Sequence, residues 1–381
     1  MPPSIYLPFI YIITLVGFCI IAPRLPFIPK LDPQVVARQS PIDGLRGILA
    51  TAVFAFHFYI NYGFGQTGRW VSPSQLFLLN MGAVPVSLFF MITGFLFFNK
   101  LKNLNTDWQS LYFGRIKRIY PLFVFLALLS VVIIGGQNHF QLDLESLIRW
   151  LMPWLWFDVQ PFKPFFAKPL IVGAVWTLAY EWAFYSALPL IAMLFHKKFS
   201  LTIKQIAFIA ITASLAFYLF RHTITQLYWL FAGAVVAIHF ADTFRHLLQQ
   251  YRQWLNVILP IAVLAIMVFT KPYSPLQMGV LAVLFGFIAN GYSFFGGLYQ
   301  RGLLFLGEVS YSVYLLHGVV IYGIFYGLKV FDFAQPVMMY VWLFIPTFIL
   351  VVIVAYFGHQ FIEMPFYKNS KKRLQSVQNP V

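Results

Sequence analysis

The chain has 381 residues, 60% of them hydrophobic and only 10% charged, which excludes an ordinary soluble domain, where about a quarter are charged. Its net charge of +15 does not make it a nucleic-acid binder, because the basic residues lie between apolar runs rather than in one patch. The single cysteine, Cys19, excludes an intramolecular disulfide.

Apolar runs long enough to cross a bilayer lie near 4–22, 44–62, 76–98, 119–136, 171–195, 203–220, 223–240, 254–271, 277–296, 303–328 and 337–361. They predict an all-α polytopic bundle of about ten core helices plus one extra N-terminal helix. The first run lacks a basic flank and a small-residue cleavage site, so it reads as a retained helix rather than a signal peptide. The expected organisation is an extra helix and linker over 1–40, a membrane domain over 41–367 and a basic tail over 368–381. If the segment 23–43 is cytoplasmic, nineteen of the 26 Lys and Arg fall on that side. The positive-inside bias then puts the N-terminus outside and the C-terminus in the cytoplasm of what is expected to be a bacterial inner membrane. The Trp- and Pro-rich loop near 137–170 is expected at the outer interface.

Residues 42–58 read IDGLRGILATAVFAFHF, an apolar stretch carrying an acid, an arginine and a histidine. In a helix Arg46 and His57 share a face and stand roughly 16 Å apart, with Asp43 within about 40° of that face. Intramembrane ionisable groups avoid lipid, so the three should face the protein interior. One reading is a site; the other is an Asp–Arg cap with a hydrogen-bonded core histidine.

Arg115 and Arg118 in RIKR are three residues apart and can converge on one anion, or serve as a positive-inside anchor. Glu181, mid-span in WTLAYEWAFY, needs a partner or a proton, and interhelical glue is the alternative to catalysis. In LGEVSYSVYLLH, Ser310, Tyr314 and His317 fall along one helical face, where they can line a polar cavity with Tyr180 or bind neighbouring helices. The G-x-G-x-x-G match at 63–68 has no strand before it and is accidental. The sequence carries no HExxH, Cys/His cluster, GxSxG or Walker loop, so no metal is expected.

The order DGLRG…H, FFMITGFLFF, RIKRIYP, WTLAYEWAFY, LGEVSYSVYLLH and FIEMPF, from about residue 42 to 366, resembles the acyltransferase-3 family of membrane acyltransferases. The resemblance implies transfer of an acyl group, acetyl being expected, from cytoplasmic acyl-CoA to a sugar hydroxyl across the membrane. It also implies that Arg46 and His57 match the family's essential Arg and His, that Arg115 and Arg118 match its donor-associated RxxR, and that Glu181 matches its conserved-pattern acid. Thr93 stands where the family usually has serine, which keeps the hydroxyl. Some relatives carry a hydrolase-like domain after the last helix; without one, a second transfer step would need another protein.

On this reading Arg46, Arg115 and Arg118 bind the phosphates of acetyl-CoA, the donor substrate, and His57 acts as base or transient acyl acceptor. Asp43 orients Arg46, Glu181 balances charge or steers the imidazole, and hydroxyls near Ser310 stabilise the oxyanion. The expected partners are acyl-CoA, a carbohydrate acceptor, the lipid membrane and proteins of glycan assembly. The rival readings are a proton-coupled transporter of a sugar or amphiphile, and a scaffold in a glycan-assembly complex.

Overall fold

The computed structural model describes residues 6–25, 28, 40–101, 106–137, 168–172, 175–195, 200–203, 205–206, 208–210 and 227–366. Its principal helices are α1 (Leu7–Ile21), α2 (Pro41–Thr67), α3 (Leu76–Leu101), α4 (Trp108–Gln137), α5 (Trp176–Phe195) and α6 (Leu227–His239). They continue as α7 (Ala241–Phe269), α8 (Pro275–Ala289), α9 (Arg301–Glu308), α10 (Ser310–Tyr322), α11 (Val337–Trp342) and α12 (Phe344–Gly358). There is no strand among the described residues.

Six of these helical segments are long and apolar enough to cross a membrane, and a seventh if the bent pair α9–α10 counts as one span. The chain is therefore an integral membrane protein, with fewer full spans among the described residues than the expected ten or so. Most of the apolar run at 203–220, the loop near 137–170 and the tail at 368–381 lie outside those residues. The run at 303–328 differs from expectation: it breaks at Val309 into two helices bent by 76°. The run at 254–271 extends back to Ala241, with non-helical backbone at Tyr251 where the charged first half meets the apolar second.

Helix α2 is defined at both ends by its own residues. The Ser40 hydroxyl accepts from the Ile42 backbone N–H at 3.2 Å, and the Asp43 carboxylate accepts from the Ser40 N–H at 3.0 Å, a reciprocal capping box. Pro41 follows at the first helical position, where its missing N–H costs nothing. The helix stops where Gly68 adopts φ 66°, left-handed backbone that glycine enters without strain. The 63–68 glycines thus end a helix.

Around α2 pack α3, α9 and α10, and α3 in turn meets α6, α7 and α8. Close approach needs small residues: a Cβ on Gly307 of α9 would overlap the Asp43 carbonyl of α2. The core forms two apolar clusters, one largely on α3–α8 and one on α1, α2 and α9–α12, and Ile48 and Phe89 touch both. A buried polar tie locks α3 to α7 and α8. Asn80 Nδ2 donates to the Thr270 carbonyl at 2.8 Å, and Gln277 Nε2 donates to Asn80 Oδ1 at 2.8 Å. The N-terminal helix joins the same body, because the Tyr11 hydroxyl lies 3.1 Å from Thr51 Oγ1 on α2.

Candidate active site

Between the two clusters, toward the Arg46 end of α2, lies a cavity of about 290 Å³. Arg46 comes from α2, Phe89 and Thr93 from α3, Arg115 and Arg118 from α4, Thr177, Glu181 and Tyr185 from α5, and Ser310, Tyr311 and Tyr314 from α10. Both arginines of RIKR face this cavity and are half-buried, whereas Ile116 and Lys117 between them are exposed. An anchor needs only exposed cations, whereas these two side chains reach the cavity wall.

Each charged group is held in place. Arg46 Nη2 donates to Ser310 Oγ at 2.9 Å, which ties α2 to the first turn of α10. The Arg115 guanidinium stands 5.1 Å from the centre of the Phe97 ring. Glu181 accepts from the Tyr185 hydroxyl at 2.8 Å and sits in the combined field of Arg115, Arg46 and Arg118. Three cations against one carboxylate leave the cavity cationic, as a polyanion requires. At its inner end the Tyr314 hydroxyl lies 3.0 Å from Thr177 Oγ1.

His57 does not line this cavity. It sits further along α2, where its Nδ1 lies 2.9 Å from Nε2 of His317 on α10. His317 Nδ1 in turn lies 2.9 Å from the Val313 carbonyl. A carbonyl can only accept, so His317 carries its proton on Nδ1 and presents a lone pair at Nε2. His57 then donates from Nδ1, which leaves its Nε2 as an unprotonated base. This tautomer follows from the hydrogen-bond partners alone. The His317 ring stands 6.4 Å from Tyr314, so one aromatic side chain separates the imidazole pair from the arginine-lined cavity.

The expected site residues fall into three groups. Arg46, Arg115, Arg118, Glu181, Ser310 and Tyr314 share one cavity. His57 and His317 form the pair beyond it, so His317 is a partner of His57 rather than cavity lining. Asp43 and Tyr180 stand apart. Asp43 caps α2 through Ser40, and its charge also acts on Arg46. Tyr180 precedes Glu181 by one residue and so points about 100° away; it packs on Phe90, Trp176 and Tyr228.

Sequence reasoning missed Trp70, whose ring lies 6.3 Å from His57, and Tyr185, which holds Glu181. It also missed the support beneath Ser310. Glu363, in the FIEMPF block, accepts from Ser312 and lies 3.1 Å from His359 Nδ1, and His359 Nε2 is 3.8 Å from Glu308. Glu363 in that block was a visible signal; its partners could be found only in three dimensions.

An all-helical membrane bundle with a cationic cavity and an intramembrane imidazole pair belongs to the class of polytopic proteins with a buried polar site. The family model described as an acyltransferase domain matches residues 40–358, and the chain belongs to that family, acyltransferase-3. It is 31% identical over 165 residues to Acyltransferase MdmB of Streptomyces mycarofaciens, covering 42% of this chain and 40% of that protein. It is 24% identical over 369 residues to the putative peptidoglycan O-acetyltransferase YrhL of Bacillus subtilis, covering 85% and 54%. Nodulation protein 10 of Rhizobium leguminosarum is 24% identical over 328 residues, covering 74% and 83%. The chain thus spans about half or less of the first two relatives' own lengths. No solved structure gives a significant match.

Proposed function

We propose that the protein is a membrane O-acyltransferase that takes an acyl group, acetyl in the first instance, from cytoplasmic acyl-CoA. The acceptor is a hydroxyl of a carbohydrate reached from the other face. The carrying observation is the convergence of Arg46, Arg115 and Arg118 on one cavity that ends one ring short of the His57–His317 pair. The positive-inside bias supports a cytoplasmic Arg46 end, an outward N-terminus and a bacterial inner membrane. The likeness to YrhL, named a putative peptidoglycan O-acetyltransferase, and to nodulation protein 10 supports a cell-envelope or secreted glycan as acceptor.

In this mechanism the arginines clamp the phosphates of the donor through paired N–H groups, and Glu181 with Tyr185 keeps the guanidinium groups oriented. His57 Nε2 takes the proton of the acceptor hydroxyl as its oxygen attacks the thioester carbonyl. The C–O bond forms and the C–S bond breaks, and the departing thiolate takes the proton back from the imidazole. Hydroxyl donors at the inner end of the cavity, Thr177 and Tyr314, lie where the oxyanion would develop. Family membership favours this reading over a transporter.

The test compares surface glycans from cells expressing the wild type and His57→Ala, by mass spectrometry before and after mild alkali. An alkali-labile acyl mass restricted to the wild type supports the reading. The same mass with both proteins removes His57 from the chemistry.

A further inference from the structure

At the Gly68 end of α2, opposite the arginines, lies a second cavity of about 630 Å³. Its walls come from the last turn of α2 and from the segment after α10, through Tyr326, Lys329, Asp332 and Phe333. Gln66 at its rim is nine residues beyond His57, about 14 Å along the helix axis. Rings connect the two places without a gap. His57 faces Trp70 at 6.3 Å, Trp70 faces Phe64 at 5.7 Å, Phe64 faces Tyr326 at 5.7 Å, and Tyr326 stacks on Phe333 at 6.1 Å with 17° between planes.

The wall is fixed in position. Gly65 has the Phe333 ring directly against its Cα, so any side chain there would displace the ring. A π-helical turn at Gly323–Gly327 leads into Lys329, whose backbone adopts φ 50°, left-handed geometry rare outside glycine and frequent at functional sites. Asp332 Oδ1 accepts from the Ala334 N–H at 3.0 Å, which holds the segment's return. Lys329 and Asp332 are both exposed, and their opposite charges leave the cavity near neutral.

We infer that this cavity is a binding subsite for a neutral pyranose oligosaccharide, the stretch of the acceptor chain that lies beyond the reacting residue. A pyranose has an apolar C–H face, which suits the parallel rings of Tyr326 and Phe333, and a polar edge, which suits Gln66, Lys329 and Asp332. A lipid tail would leave that polar edge without partners, and a polyanion would meet Asp332. The path of rings through Phe64 and Trp70 then guides the acceptor hydroxyl toward His57. The inference rests on the acyltransferase reading and adds the acceptor subsite to it.

The test uses the full chain in lipid nanodiscs, titrated separately with chitotetraose, maltotetraose and acetyl-CoA. Wild type should bind at least one tetrasaccharide. Phe333→Leu and Asp332→Asn should each weaken that binding about fivefold to tenfold, with acetyl-CoA binding unchanged. Asp332→Asn keeps the turn at Ala334, so it reports on the subsite even if Phe333→Leu does not fold. Unchanged sugar binding in both variants overturns the inference. So does acetyl-CoA binding with neither sugar bound, or a phospholipid found in the cavity in place of sugar, and both of these leave the acyltransferase reading standing. Failure to bind acetyl-CoA as well sinks that reading instead.

Discussion

Replacing His317 with Phe separates the two imidazoles by role. His317 is fully buried, and its Nε2 is the acceptor for His57 Nδ1–H at 2.9 Å. Phenylalanine keeps a ring in the space but offers no acceptor. The Nδ1–H form of His57, the form with a free base at Nε2, would then lose this acceptor and keep only its hydrogen bond to the Val53 backbone, at a cost of about 0.5–1.5 kcal/mol. At 1.36 kcal/mol per tenfold, transfer should slow by about 2- to 13-fold. His57→Ala removes the base itself and should cost about 10²- to 10⁴-fold. His317→Gln returns a carbonyl acceptor and should recover part of the loss, which a purely structural role for His317 would not explain. The assay is acceptor-dependent release of CoA from acetyl-CoA in nanodiscs, with acetyl-CoA affinity measured alongside. That affinity should hold in all three variants, because Arg46 lies eleven residues away along α2 and Arg115 and Arg118 stand on α4. A wild-type rate in His317→Phe would refute the tautomer argument. A loss larger than that of His57→Ala would make His317 the base.

Other perturbations probe the donor cavity and the frame. Arg118→Ala, or Arg115→Lys, should weaken acetyl-CoA binding by about 10- to 150-fold, since hydrogen bonds to charged groups contribute about 1.5–3 kcal/mol. Binding titrations at two salt concentrations check this, and an unchanged affinity would return RIKR to the role of an anchor. Gly307→Ala puts a methyl against the Asp43 carbonyl and should lower the yield of folded protein, with overpacking costing about 1–3 kcal/mol. Fluorescence-detected size exclusion reads that directly, and an unaffected profile would mean α9 can move off α2. Tyr11→Phe deletes the hydroxyl shared with Thr51 and should cost about 0.5–1.5 kcal/mol of stability while leaving transfer intact. Thermal unfolding in detergent measures it, and lost activity would give the N-terminal helix a role in the chemistry.

The sequence made the helical class and much of the site legible for identifiable reasons. Hydropathy marks helical spans strongly because a single segment can satisfy its own backbone in lipid only as a helix. A charge inside such a span is costly, so Arg46, His57 and Glu181 stood out against their apolar surroundings. The three-residue spacing of Arg115 and Arg118 fixed a shared direction, and the structure turns both inward. What stayed illegible depends on contacts between distant segments. The cap that Asp43 makes on Ser40 is the exception, a local contact that the helical-face reading of Asp43 passed over. The bend at Val309 was hidden inside one continuous apolar run. The pairing of His57 with His317 spans 260 residues, and no periodicity carries that information.

The order of groups along α2 follows the cost of placing each in the membrane. The guanidinium of Arg46 stands near one end, where a cation is cheapest to hold, with Ser310 and Glu181 near it. Eleven residues further in, the polar groups are imidazoles whose Nδ1–H groups each have an acceptor, so a neutral pair satisfies its own donors in the dry interior. Nine residues further still, the surfaces become aromatic with a balanced pair of charges. A phosphate-bearing donor, an uncharged reacting centre and a neutral polyhydroxyl acceptor would need these environments in this order. A transporter carrying one solute through the bundle would instead need similar contacts along its whole path. The change of chemistry along a single helix therefore favours a reaction between two substrates that enter from opposite ends.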